Sequence, residues 1–470
     1  MGHVPGSGDD KGWRVMGRRT AWWRAVCRFG GPRAVVVAAV LCGTVVALPG
    51  RPAVAADAPS PYAFAPDARS VTGAASTADA EPLEPGRAYK SSLPVSGDAY
   101  YRIELDATSN AYVSATAVPP SDATVSASDG VRISVQDADG RSCSFETENF
   151  AGGSSSPHPI TAVAVREISP TRTRCAGAGL YYVIVERVGT TAPGDVAWDL
   201  ELAAFSEPPL ERADATTAPE SWNSASPEPV TGEPERRAGG AGFASAVSVG
   251  QGAWRSDVEP GQTVFYKVPV GWGRQVYASA ELAGSAEGSR VAVGALELSL
   301  HNPVRAPLDE ESLNYDGGQA SATLEPLPPV AHENRYAGTD RVSGMRFAGS
   351  YYLVVHVAAR VAERFGDGPF AVTLRVRLTG TARSGPGYDG QFEPQDVFAP
   401  VVGEPGGAVP GGLTPSGGGG GAGDDTVMTV IAVSGIGGGT VVLAVLGVWT
   451  VVGRRRARSQ IWASAQKPVA

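Results

Sequence analysis

Beyond its first 55 residues the chain holds four histidines, His158, His301, His332 and His356, and two cysteines, Cys143 and Cys175. No two of these histidines stand at HExxH or H-x-x-x-H spacing, so the sequence offers no helical zinc site. His356 lies inside an apolar run and reads as a packed residue rather than a base, while His332 lies in a polar stretch and reads as solvated. There is no GxSxG elbow, P-loop or dinucleotide fingerprint. Gly152-Gly153-Ser154-Ser155-Ser156 lacks the strand-turn-helix setting that exposes a nucleophile. Asp137 and Asp139 flank a tight turn, where their oxygens could ligate calcium; a plain hairpin turn accounts for D-A-D-G equally well. In the pairs Tyr100/Tyr101 and Tyr181/Tyr182 one member should be core and the other surface, where it could stack on a sugar or simply sit in solvent. No catalytic residue and no cofactor is expected.

Two cysteines in an exported domain pair with each other. A Cys143–Cys175 bridge would close a loop of about 33 residues and contribute roughly 3–4 kcal/mol on the chain-entropy account.

Export is read from the N-terminus. Six arginines (Arg14, Arg18, Arg19, Arg24, Arg28, Arg33) precede an apolar run over residues 34–48, and Ala53-Val54-Ala55 supplies small residues for cleavage before Ala56. Residues 1–55 are therefore expected to be a signal peptide. A second uncharged apolar segment, residues 426–452, is long enough to cross a hydrocarbon core of about 30 Å as a helix. Arg454, Arg455, Arg456 and Arg458 follow it, which by the positive-inside bias puts residues 453–470 in the cytoplasm. The expectation is a single-pass type I protein of the cell membrane with its N-terminal part outside. Gly435 and Gly439 stand at GxxxG spacing, which could let two such helices meet as a homodimer.

The elements that position these residues are visible as an internal duplication. Residues 89–103 align without a gap on residues 254–268, so that Tyr89 meets Trp254, Leu93 meets Val258 and Tyr101 meets Tyr266. Val131, Ile133 and Val135 then face Leu296, Leu298 and Leu300, and Gly179-Leu180-Tyr181-Tyr182-Val183 faces Gly349-Ser350-Tyr351-Tyr352-Leu353. In this register Cys143 and Cys175 fall on Leu308 and Met345, which suggests that the bridge staples a shared fold. Each copy alternates apolar and polar residues between Gly- and Asp-rich turns, the pattern of strands. The expected fold is all-β: two tandem antiparallel, jelly-roll-like β-sandwiches over residues 81–204 and 245–380. Residues 56–80 read as a disordered lead-in, 205–244 as a Pro/Glu/Ala-rich linker and 381–425 as a Gly/Pro-rich stalk.

Three segments resemble the bacterial pre-peptidase C-terminal domain family: Gly97-Asp98-Ala99-Tyr100-Tyr101-Arg102-Ile103, Ile133-Ser134-Val135-Gln136-Asp137-Ala138-Asp139-Gly140, and Gly179-Leu180-Tyr181-Tyr182-Val183-Ile184-Val185. The second copy keeps the first and third but has His301-Asn302-Pro303 in place of the aspartate turn. The resemblance implies a jelly-roll-like accessory sandwich that serves substrate or surface binding beside secreted enzymes; no enzyme domain accompanies it here.

Residues 56–425 carry 26 Lys and Arg against 46 Asp and Glu. An acidic ectodomain excludes nucleic acid as a partner, because phosphates need a basic face. The leading expectation is a membrane-anchored, non-enzymatic binding or scaffold protein facing an extracellular protein or glycan. The runner-up is a tethered accessory or maturation subunit of an exported hydrolase or secretion system, and the third reading is a hydrolase with an unrecognised site.

Overall fold

A computed structural model describes residues 62–398 except 151–155, 170–172, 191–194, 213–214, 220, 229 and 286–289. Both apolar end segments, with Gly435, Gly439 and the arginines from Arg454 to Arg458, lie outside the described residues. Among those described, no helix is long and apolar enough to cross a membrane.

The described residues are all-β with a few short helical turns, ten strands repeated. The first ten are β1 (Arg69–Ser70), β2 (Glu81–Leu83), β3 (Ala88–Leu93), β4 (Asp98–Leu105), β5 (Asn110–Val118), β6 (Gly130–Asp137), β7 (Ser142–Asn149), β8 (Ile160–Arg166), β9 (Gly179–Val188) and β10 (Trp198–Glu207). The second ten are β11 (Glu235–Arg236), β12 (Val247–Ser248), β13 (Gly252–Val258), β14 (Thr263–Val270), β15 (Gln275–Leu282), β16 (Ala292–His301), β17 (Pro307–Tyr315), β18 (Ala320–Thr323), β19 (Gly349–Val357) and β20 (Phe370–Thr379). Sandwich 1 stacks a β1-β3-β10-β5-β8 sheet on a β2-β4-β9-β6-β7 sheet; sandwich 2 repeats both orders, β11-β13-β20-β15-β18 and β12-β14-β19-β16-β17. The eight longer strands of each copy follow jelly-roll order and pair antiparallel, while the short first two of each copy add on parallel to the edge.

Pairing registers carry the duplication to single residues. Tyr101 sits opposite Val183 and Tyr266 opposite Leu353; Leu202 sits opposite Tyr89 and Leu374 opposite Trp254. Alternation then sends one residue set inward: Tyr101, Ile133, Val183 and Leu202 in sandwich 1, Tyr266, Leu298, Leu353 and Leu374 in sandwich 2, all buried. Gly179 and Gly349 open the two closing strands at φ 138° and 157°, a conformation that a side chain would strain. At Gly349 a Cβ would also strike the Val397 carbonyl.

The bridge forms as expected, with Cys143 and Cys175 Cα atoms 5.7 Å apart. Leu308 and Met345, their counterparts, are buried together in the core of sandwich 2. Hydrophobic contact there takes the place of the covalent link.

The spacers depart from expectation. Residues 62–80 supply β1 and a 3-10 turn at Thr77–Asp79, and Tyr62 packs its ring on Phe265 of sandwich 2. The linker supplies β11, and residues 385–398 fold back as a strap that bridges Tyr388 to Leu210 and Glu393 to Ser206. These segments are ordered because their aromatic residues reach a second apolar surface, between the sandwiches, that local composition does not announce.

Candidate functional site: the seam between the sandwiches

The outward face of the β3-β10-β5-β8 sheet in sandwich 1 packs on the outward face of the β14-β19-β16-β17 sheet in sandwich 2. Its apolar part joins Tyr112, Val163, Ala203 and Phe205 to Val304, Phe347 and the strap residue Phe398. A second patch gathers Phe243, Ala246, Phe265, Tyr352 and Val354 under Tyr62.

Into this seam alternation also sends three carboxylates, each met by a cation from the other sandwich. Glu201, fully buried on β10, lies 3.5 Å from Arg305 and accepts the Tyr62 hydroxyl hydrogen. Glu207, fully buried at the end of β10, takes Arg335 together with hydrogen bonds from Tyr112 (2.7 Å) and Asn110 (2.8 Å). Burial pushes the Glu207 carboxyl up, but Arg335, Arg346 and these hydrogen bonds outweigh it and hold it below the usual carboxylate range. Glu297 on β16 is met by His158, Nε2 to Oε1 3.1 Å, and its second oxygen is buried without a hydrogen-bond partner.

His158 sits in the connection into β8. Its Nδ1–H donates to the Ser156 carbonyl at 2.9 Å, which turns Nε2 toward Glu297. Burial opposes its charge, yet Glu297 and the Ser156 carbonyl raise it to about 9, so the pair is an imidazolium and a carboxylate at neutral pH. His356 stacks on it with ring centroids 4.7 Å apart, hydrogen-bonded to Thr263 (3.0 Å) and Ser156 Oγ (3.1 Å). Burial and the neighbouring imidazolium push His356 down to about 3. His301, bonded to Ser299 and to the Arg305 carbonyl, is pushed down by burial to about 4.

Chemically, Ser156 and His356 make a serine–histidine contact. A general base must hold a proton near ambient pH, and His356 does not. Ser156 Oγ also accepts the Ala359 N–H at 3.1 Å and is buried. The contact joins the two sandwiches. Where the seam opens, a recess of about 350 Å³ is lined by Ser156, Pro157, Val291, Val293, Arg360 and Arg364.

Asp137 Oδ1 accepts the Asp139 and Arg141 backbone N–H groups, and the Arg141 guanidinium sits between both carboxylates at 3.4 and 2.9 Å. The turn thus carries its own counter-charge. Tyr101 and Tyr181 are buried, whereas Tyr100 and Tyr182 are half-exposed on the free sheet of sandwich 1. Cross-strand pairing sets Arg102, Tyr182 and Gln136 in one row and Tyr100, Ile184, Ser134 and Phe145 in the next, with Phe145 63% exposed. His332 is buried beside Tyr388, not solvated. Sequence reasoning missed Glu201, Glu207, Glu297 and Arg305 as a group. The available signal was the contrast between copies at equivalent outward positions: Glu186 against His356, Arg132 against Glu297, Arg375 against Ala203.

No known protein family matches the chain, and no curated protein matches it. Among solved structures it is similar to the CBM22-1–CBM22-2 tandem domain of Paenibacillus barcinonensis Xyn10C, 9% identical over 62% of this chain and 85% of that one, TM-score 0.17. It is also similar to the M60 catalytic domain with CBM51-1 and CBM51-2 of Clostridium perfringens ZmpB (11%, 61% and 34%, TM-score 0.15). A third is the CUB1-EGF-CUB2 region of human MASP-1/3 (8%, 62% and 99%, TM-score 0.14). Likeness at this level assigns neither family nor ligand.

Proposed function

We propose that the chain is an exported, membrane-tethered, non-catalytic surface protein. Its two sandwiches act as one stiff head that presents the free sheet of sandwich 1 to an extracellular protein or glycan. The observation that carries this reading is the seam: His158, His356 and the buried acids Glu201, Glu207 and Glu297 are engaged in joining two bodies, as a scaffold requires. The pre-peptidase C-terminal resemblance of sandwich 1 fits an accessory binding role. The type I orientation rests on the N-terminal apolar run, residues 426–452 and the arginines after them.

The test places a photo-crosslinking residue at Tyr182 of the full-length protein in intact cells. A discrete adduct to one envelope component, absent when the residue is placed at Tyr277 on the far sheet, supports the reading. Hydrolytic turnover by purified full-length protein that Ser156→Ala or His356→Gln abolishes would overturn it.

A further inference from the structure

Beside the His158–Glu297 pair stand two more carboxylates, Glu148 on β7 of sandwich 1 and Glu310 on β17 of sandwich 2. Glu310 lies opposite Ser299, so it is the diagonal neighbour of Glu297 on one sheet face. Glu148 approaches from the facing sandwich, near enough that its charge and those of Glu297 and Glu310 act on one another. The other titratable groups facing this cluster are His356 and His301 from sandwich 2, Glu146 on β7 and Asp309 on β17. Asp309 has its own cation, Arg341, at 3.2 Å. Three glutamates thus share one imidazolium, and no ion pair reaches Glu148 or Glu310 among the described residues.

We infer that the seam is a proton-gated joint: docking of the two sandwiches takes up protons at this cluster, so the head is rigid in mildly acidic surroundings and hinged in alkaline ones. The charge count requires it. With His158 paired to Glu297, the other two carboxylates can sit beside that buried pair only if they bind protons or move away from it. Burial and the Glu297 charge push Glu148 up to about 7, and burial with the Glu297 and Glu148 charges pushes Glu310 up to about 8. Raised carboxyls bind more protons docked than free from about pH 4.5 upward, and His158 does so from about pH 6.5 to its docked value near 9. His356 and His301, held down to about 3 and 4, oppose this below about pH 6.5 but are neutral in both states above it; from there upward raising the pH disfavours docking, by about tenfold per pH unit for each proton involved.

The test uses full-length protein in detergent with spin labels at Ser96→Cys and Ser321→Cys, in a Cys27→Ser, Cys42→Ser background. A single inter-label distance at pH 6 should give way reversibly to a broad distribution by about pH 9.5. Glu148→Gln with Glu310→Gln imitates the protonated cluster and should move the midpoint upward by a pH unit or more. His158→Gln should broaden the distribution already at pH 6. A distribution unchanged from pH 5.5 to 9.5, or a midpoint unmoved in the double glutamine variant, overturns the inference. The double variant keeps the test decisive if His158→Gln fails to fold.

Discussion

A glutamate on the outward face of a strand ordinarily faces water, and Glu207 shows what changes when a second sheet covers it. Arg335 now neutralises it, and truncating either partner strands the other, which for a buried pair costs about 3–5 kcal/mol. Glu207→Gln should therefore lower unfolding free energy by about that amount at pH 7, read by chemical denaturation. The sign of its pH dependence follows from a depressed carboxyl. Its stabilisation is present above the unfolded range near pH 4.5 and is lost as pH falls through the folded value. Wild type and Glu207→Gln should accordingly draw together in stability as the pH falls below about 4.5. Legibility at this scale divides by direction. Inward positions such as Tyr101, Ile133 and Leu353 were readable because alternation alone places them. Outward ones such as Glu201 and Glu297 were not, because a polar residue at an outward position reads as solvated. Their partners lie far away along the chain, Tyr62 and Glu201 being 139 residues apart.

At the scale of elements the duplication was legible to the residue, since strand register and hydrophobic period are properties of each copy alone. It even placed Cys143 and Cys175 on Leu308 and Met345. That correspondence can be tested. Cys143→Ala with Cys175→Ala should cost roughly 3–4 kcal/mol through the freed loop in the unfolded chain. Cys143→Leu with Cys175→Met should lose less, because the sandwich already accepts that apolar pair at those positions; thermal melts of the two variants compare them. The spacers were illegible for the opposite reason. Pro, Gly and Ala in residues 62–80 and 385–398 carry no period, and what orders them is a surface made by both sandwiches. Only the aromatics Tyr62, Tyr388, Phe392 and Phe398 mark it, and isolated aromatics in a Pro/Gly-rich stretch give no position.

For the molecule as a whole, the packing is head to tail. Sandwich 1 docks through its β3-β10-β5-β8 sheet, sandwich 2 through the other kind of sheet, so each copy retains one uncovered face of the type its neighbour uses. A heterologous contact of this sort can propagate. Both outer faces carry charges that oppose such growth: Asp98, Arg102, Arg132 and Glu186 on one, Arg375, Arg377 and Glu281 on the other, the last crossed by the linker where Arg375 bonds the Val230 carbonyl at 3.1 Å. Ala203 and Phe205 occupy in sandwich 1 the positions of Arg375 and Arg377. Exchanging them, Ala203→Arg with Phe205→Arg, would bury two unpaired charges in the seam. Calorimetry of the full-length protein should then show two separate transitions in place of one cooperative unfolding, while each sandwich keeps its strand content.

The strap over residues 385–398 sets where the rest of the chain departs. It crosses from sandwich 2 to Ser206 and Leu210 at the end of sandwich 1, and Phe398 lies against Phe205 and Phe347 from both bodies. Tension applied from beyond residue 398 therefore arrives at the junction and not at the tip of either body. It must strip the Tyr388, Phe392 and Phe398 contacts before it can strain any core strand, so the earliest mechanical yield is loss of the grip between the sandwiches, with both still folded.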